Sequence, residues 1–230
     1  MSGTAAAQVL LAVAYPFLAH WASERGGGLP AALTLADLAL LVLIGPLARG
    51  SVWAWVLTAG LGAMLALNVE SRWLPVLLLA PPVVFTGLVA WCFARSLAPP
   101  RTPLITKIAA AIEYDDPAQM PPAQQRYTRA LTAAWAWLLA GLALANLLLA
   151  LIAVPDGVLA RLGHVPPIAI SQTTWSWFAN LLNYGVVGGF FVGEYLLRHR
   201  LFPQRNYRNF GEFLRRMAGL GPQFWQRLFD

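Results

Sequence analysis

The residues best suited to chemistry lie on the last long apolar segment of the chain. At 100° per residue, Asn180, Asn183, Tyr184 and Glu194 fall within an arc of about 100° on a helix. Amide, phenol and carboxyl groups on one face can bind a substrate or a lipid head group. Placing polar groups within a bilayer costs free energy, so their presence there indicates a role. The alternative is structural, with the asparagines bonding other helices and Glu194 pairing with the arginine one turn on.

Other catalytic patterns are largely missing from the sequence. Cys92 is the single cysteine, and the three histidines belong to different ends and loops, so they cannot converge on this thiol. The sequence contains no HExxH, GxSxG or Walker A motif and no paired-cysteine zinc spacing. We therefore expect no metal and no cofactor, and no catalytic set is recognised. A weaker acid–base hypothesis joins His20, Asp37 and Glu70 at one membrane face.

The composition indicates the solvent in which these residues must work. Hydrophobic residues make up 58% of the chain, charged residues only 11%, and the mean hydropathy is +0.59. Soluble domains carry roughly 25% charged residues. The sequence therefore predicts an all-α polytopic membrane protein rather than a soluble enzyme.

Six apolar stretches approach the roughly 20 residues that a helix needs to cross a bilayer. Glycines and a proline at 23–30 predict a tight connection after the first stretch, and Pro81-Pro82 predicts a kink in the fourth. The second and third stretches are short, so a re-entrant pair is an open alternative to two full crossings. The predicted spans are residues 5–22, 31–47, 52–68, 74–93, 130–154 and 174–197.

The basic residues predict the orientation, because positively charged loops stay in the cytoplasm. With six spans, the loops on one side hold only Arg25, Arg72 and Arg161 of the 16 basic residues. Both termini are therefore predicted to be cytoplasmic. The opposite, cytoplasmic side holds Arg49, Arg95, Arg101, Lys107, Arg126, Arg129, Arg198, Arg200, Arg205, Arg208, Arg215, Arg216 and Arg227.

Two cytoplasmic segments are predicted to carry interfacial amphipathic helices. In the first, at 95–129, Thr102 can cap a helix that begins at Pro103, and one face is apolar through Leu104, Ile105, Ile108 and Ile112. In the C-terminal tail, the apolar face consists of Phe210, Phe213, Leu214 and Met217. The chain thus divides into a four-helix part at 1–94, the loop at 95–129, a two-helix part at 130–197 and a basic tail at 198–230.

The basic residues of these segments are candidates for binding anionic lipid or an acidic partner. The candidates are Arg101, Lys107, Arg126, Arg129, Arg215 and Arg216. On the sixth span, Gly185, Gly189 and Gly193 recur at a four-residue spacing, which predicts close packing against another helix.

Several short stretches resemble one known family. They are RTPLITKIA at 101–109, YTRALT at 127–132, FANLLNY at 178–184, GEY at 193–195 and RLFP at 200–203. Together they resemble bacterial inner-membrane proteins associated with the biosynthesis of aryl-polyene and xanthomonadin-like pigments. The first four spans match that family only in hydropathy.

This resemblance implies an inner-membrane location and a set of partners. The partners would be membrane lipids, acyl carrier protein and the cytoplasmic enzymes that build an acyl or polyene chain, with no nucleic acid. The function expected is a non-catalytic accessory or scaffold protein that recruits these enzymes or hands their product to the membrane. The alternative is a membrane-embedded acyl-lipid enzyme or transporter that uses the polar stripe of the sixth span.

Overall fold

The computed structural model describes residues 3–25, 27–71, 73–114, 116–202, 210–221 and 224, with the Asn180 side chain also outside the description. The basic residues Arg72, Arg205, Arg208 and Arg227 lie outside the described residues. The helices are α1 Gly3–Arg25, α2 Gly28–Ala48, α3 Val52–Leu67, α4 Leu74–Leu77, α5 Ala80–Ser96, α6 Leu104–Glu113, α7 Pro122–Ile152, α8 Val158–Arg161, α9 Gln172–Trp177, α10 Asn183–Leu201 and α11 Phe210–Gly219.

Four helical stretches are long and apolar enough to cross a membrane: Gly3–Arg25, Gly28–Ala48, Leu74–Ser96 and Pro122–Ile152. They confirm the predicted all-α class and indicate a membrane protein. The third predicted span forms the shorter apolar helix α3, of 16 residues. The sixth is helical from α9 to α10 and is not among these four stretches.

The predicted interruptions of the helices are found. Gly27, between α1 and α2, has φ of 86°, a left-handed backbone conformation that a residue without Cβ adopts readily. Between α4 and α5, the N–H groups of Leu78 and Leu79 donate to carbonyls three residues back. The following Pro81-Pro82 pair has no N–H to continue the α-helical ladder, which accounts for the interruption.

The fifth predicted span needs a correction. Its helix, α7, begins at Pro122 rather than near residue 130 and has 31 residues. Counting apolar residues missed the polar first turns, which are helical because proline fits an initial turn and the following residues form helix well. Two short parallel strands follow, β1 Ala153–Val154 paired with β2 Ile170–Ser171.

The last long helix contains a π-helical segment, Phe178–Leu182, between α9 and α10. The predicted close packing of its glycine face is wrong for contacts within the described chain. A Cβ added at Gly185, Gly189 or Gly193 would meet nothing within 4 Å. Small residues at a four-residue spacing permit close approach but do not cause it, and no helix among the described residues packs closely on that face.

The chain forms two compact units. The first comprises Met1–Val83 and Ala145–Gly185, and the second comprises Val84–Leu144 and Val186–Asp230. In the first, one apolar core contains Leu65, Leu74 and Leu78, and another surrounds Trp175. In the second, the main core surrounds Trp135. The division into four segments predicted from the sequence stays a prediction.

Candidate functional site

In the second unit, α6 is attached to its neighbours through side-chain hydroxyls. Leu104 N donates to Ser96 Oγ at 3.0 Å, and Ile105 N donates to Thr132 Oγ1 at 3.2 Å. The prediction that Thr102 caps α6 is wrong, since the structure shows no side-chain cap at this end. Hydroxyls from the preceding and following helices satisfy the first two N–H groups instead.

Three buried threonines extend this attachment. Thr106 Oγ1 and Thr128 Oγ1 are 2.7 Å apart, and Thr132 Oγ1 donates to Thr128 O at 2.7 Å. None of the three is more than 5% exposed. The segments 101–109 and 127–132, which were singled out in the sequence, therefore contact each other directly through these hydroxyls.

The connection from α6 to α7 is also held by polar side chains. Tyr114 OH donates to Gln124 Oε1 at 2.7 Å, and Gln124 Nε2 donates to Glu113 Oε2 at 2.8 Å. Burial raises the pKa of Tyr114, and the nearby Glu113 carboxylate adds to the rise. This linkage and the threonine contacts together fix α6 at both ends.

An apolar cavity of about 380 Å³ lies within this unit, lined by parts of α5, α6, α7, α10 and α11. The predicted apolar face of α6 is confirmed, because all four of its residues line the cavity. The lining residues are Val89, Phe93, Leu104, Ile105, Ile108, Ala109, Ile112, Leu131, Trp135, Leu139, Val187, Phe191, Glu194, Arg198, Phe213 and Met217.

The two charged residues of this lining form a buried ion pair. Arg198 Nε lies 3.1 Å from Glu194 Oε1, which confirms the pairing one helical turn apart. Tyr127 OH donates to the same carboxylate oxygen at 3.2 Å. The arginine guanidinium also lies 4.7 Å from the centre of the Phe213 ring. The ion pair is therefore a polar group without net charge in a cavity whose lining is otherwise apolar.

Aromatic rings attach α11 beside this pair. The Phe210 ring centre is 4.8 Å from that of Tyr195 and 5.9 Å from that of Phe191. Phe213 is 4% exposed and lies 6.3 Å from Phe191. The predicted tail helix is therefore present over Phe210–Gly219, and its aromatic face packs on α10.

The structure brings together three of the six basic candidates. Arg101, Arg126 and Arg129 line one open polar cavity at the first turns of α6 and α7, whereas Lys107 does not line it. The two tail candidates lie apart from this cavity on α11. Of these, Arg216 Nη2 donates to Glu212 Oε1 at 3.0 Å, and Arg215 is exposed.

The candidates on the last helix belong to both units. Asn183 is 9% exposed, and its Nδ2 donates to Ala179 O at 3.2 Å, while Tyr184 is 57% exposed. Both lie in the first unit, and Glu194 lies in the second. The Asn180 side chain lies outside the described residues, so binding by this stripe stays a prediction.

One polar contact in the first unit could not be read from the sequence. His20 Nδ1 lies 2.8 Å from Ser176 Oγ, and His20 Nε2 lies 3.6 Å from Glu24 Oε1. Ser176 is 0% exposed, so this serine is not accessible for acyl transfer. Among the described residues, neither Asp37 nor Glu70 forms a hydrogen bond or ion pair with His20. His20 and Ser176 are 156 residues apart in the sequence, and no spacing rule links them.

No family model matches the chain, and neither a curated protein nor a solved structure matches it. The fold and the site define a class: a helical membrane protein with an apolar cavity beneath an amphipathic helix. In the described residues, no group of three or more His, Cys, Asp or Glu residues is placed to hold a metal ion.

Proposed function

We propose that this chain is a six-span inner-membrane protein, with both termini in the cytoplasm, that acts as a non-catalytic accessory in acyl or polyene lipid synthesis. It receives the apolar chain of the product in the cavity of the second unit and releases it to the bilayer. The observation that carries the proposal is this cavity, lined along one side by Ile108 and its neighbours on α6.

The energetics of such a cavity favour transfer. Moving an apolar chain from water into an apolar environment gains about 0.8 kcal/mol per CH₂ group. Moving the same chain from an apolar cavity into lipid is nearly neutral, because lipid tails are as apolar as leucine. A chain presented from the aqueous side therefore binds in the cavity. The cavity does not hold it more strongly than the bilayer does, so the chain can pass into the lipid.

The source of the chain is the less direct part of the proposal. The predicted cytoplasmic side carries most of the basic residues, and acidic carrier proteins are steered by positive charge. Acyl carrier protein and the enzymes that elongate acyl chains are thus the proposed partners. The resemblance to proteins of aryl-polyene pigment synthesis supports the same partner set.

A cavity-filling variant tests the proposal. Leu131→Trp introduces a bulky ring into the cavity, while Leu144→Trp makes the same change on the same helix at a 56% exposed position. We expect photo-crosslinking of purified protein by a diazirine-labelled fatty acid to fall about tenfold in Leu131→Trp, equivalent to ~1.4 kcal/mol. Labelling of Leu144→Trp is expected to equal that of the wild type.

Equal labelling of all three proteins would show that the cavity does not hold the chain. Thermal unfolding of both variants controls for overpacking, which costs about 1–3 kcal/mol in a filled core. A Leu131→Trp protein that is folded, fails to be labelled and still supports full product formation in cells would refute the accessory role. The proposal that the cavity binds an apolar chain would still stand.

The proposed topology has a separate test. With Cys92 replaced by serine, a cysteine is placed at Ala118 or at Val165, which is 91% exposed. A membrane-impermeant maleimide added to intact spheroplasts is expected to label Val165→Cys only, and to label Ala118→Cys after permeabilisation. The reverse pattern would contradict the proposed orientation, and labelling of both sites before permeabilisation would contradict a membrane crossing between residues 118 and 165.

A further inference from the structure

An open polar cavity of about 680 Å³ lies at the first turns of α6 and α7, and three arginines line it: Arg101, Arg126 and Arg129. Arg129 Nη2 donates to Leu97 O at 3.1 Å, which holds this side chain at the cavity. Among the described residues, no carboxylate pairs with any of the three, and no lining residue is acidic. The cavity therefore gathers three cations without a countercharge from these residues.

Such an arrangement favours an anion with several acceptors. A guanidinium presents a planar fork of N–H donors that matches phosphate and carboxylate oxygens. Three like charges around one cavity repel one another, and a bound anion removes that repulsion. A phosphate ester fits best because it carries up to two charges and enough oxygens for more than one guanidinium.

The rest of the lining suits an organic phosphate more than a bare ion. Pro103, Pro117 and Pro122 present apolar rings beside Thr106 and Gln125. The volume lies within the usual range for small-molecule sites, about 300–1,000 Å³. An ester's carbon-containing part can contact the proline rings while its phosphate faces the arginines.

The adjoining helix ends add a favourable field but do not bind the anion themselves. Helix amino termini carry partial positive charge, and both α6 and α7 begin at this cavity. In α6, however, the N–H groups of Leu104 and Ile105 already donate to hydroxyls. The arginine side chains therefore supply the direct contacts.

We propose that the cavity lined by Arg101, Arg126 and Arg129 is a binding site for a phosphate ester. The phosphate comes either from a lipid head group of the surrounding bilayer or from a soluble compound. This proposal does not rest on the apolar cavity, because the two cavities share no lining residue. Either proposal can thus fail without the other.

The test measures thermal unfolding of the full chain in nanodiscs. One arm uses phosphatidylcholine nanodiscs titrated with glycerol 3-phosphate, and the other compares phosphatidylcholine with phosphatidic acid nanodiscs. We expect the midpoint to rise in at least one arm, and the arm identifies the source. In Arg126→Gln, the apparent affinity or the lipid-dependent shift is expected to fall about tenfold.

Two further variants separate a built site from general charge. Arg215→Gln removes an arginine that is also exposed but does not line the cavity, and it is expected to behave as the wild type. Arg126→Lys keeps the charge but loses the planar fork, and it is expected to bind more weakly. The proposal is overturned if neither arm stabilises the wild type or if Arg126→Gln has no effect. It is also overturned if Arg126→Lys binds as well as the wild type, or if Arg215→Gln weakens binding as much as Arg126→Gln does.

Discussion

The two amphipathic helices of the second unit are attached in different ways. The first, α6, is held by buried hydrogen bonds from Ser96, Thr128 and Thr132. The second, α11, is held by the rings of Phe210 and Phe213 and by the stacked guanidinium of Arg198. Hydrogen bonds join specific donor and acceptor atoms, whereas aromatic contacts stabilise mainly through the apolar area that they bury.

This difference bears on how the acyl chain of the proposed function would enter the apolar cavity. Both helices contribute lining residues, including Ile108 from α6 and Met217 from α11. Separation of α6 would expose several buried backbone and hydroxyl groups, while separation of α11 mainly exposes rings. In a bilayer, exposing rings costs less than in water because lipid can cover them. For the entry of an acyl chain proposed above, we therefore expect α11 rather than α6 to move.

The largest expected effect comes from removing the buried ring of α11. Phe213→Ala is expected to weaken the docking of this helix by about 3–5 kcal/mol, the usual range for a buried phenylalanine. Hydrogen exchange should increase across Phe210–Gly219 and remain unchanged in Leu104–Glu113. Leu214→Ala, at a neighbouring position that is 41% exposed, is the matched control. Equal increases in both helices would show that α11 is not attached independently of α6.

A smaller effect is expected from removing a hydroxyl that holds α6. Thr132→Val keeps the shape of the side chain but leaves the Ile105 N–H without its acceptor, at a cost of about 1–3 kcal/mol. Hydrogen exchange at the start of α6 should rise and the unfolding midpoint should fall. Thr132→Ser retains the hydroxyl and is expected to stay near the wild type. A Thr132→Val protein as stable as wild type would mean that packing, not hydrogen bonding, holds α6.

The smallest expected effect depends on pH and concerns the end of α6. Burial raises the pKa of Tyr114 above its ordinary value of 10.0, and Glu113 adds to this. The folded state therefore holds the phenol proton more tightly, so its stabilisation is complete below about pH 10 and is lost as the pH rises toward the folded pKa. Tyr114→Phe should lose the hydrogen bond to Gln124, worth about 1 kcal/mol, and flatten this part of the alkaline stability curve. An unchanged curve would refute the assignment.

Much of the architecture could be predicted from residue patterns. Long apolar stretches predicted the four helices capable of spanning a membrane, since both the length and the composition of such a helix are local properties. The same holds for the apolar face of α6, which follows from the helical period, and for the pair of Glu194 with Arg198 one turn away.

The predictions that failed depended on what a segment meets elsewhere in the chain. Thr102 was a plausible cap, but hydroxyls from two other helices satisfy the first N–H groups of α6. The glycines of α10 could permit a close helix contact, but no helix of the described chain approaches them. The local sequence determines which hydrogen bonds and contacts a residue is able to form, whereas tertiary packing determines which partners lie within reach.

The membrane character and the helical class follow from the sequence alone, as does the predicted excess of positive charge on the cytoplasmic loops, because each depends on composition or local periodicity. Helix packing places Arg101 with Arg126 and Arg129 around one cavity and leaves Lys107 outside its lining, which the sequence does not show. Packing also brings the Tyr127 hydroxyl to the Glu194 carboxylate, which accepts a hydrogen bond from it. These contacts join residues far apart in the chain, and their geometry depends on how the helices pack.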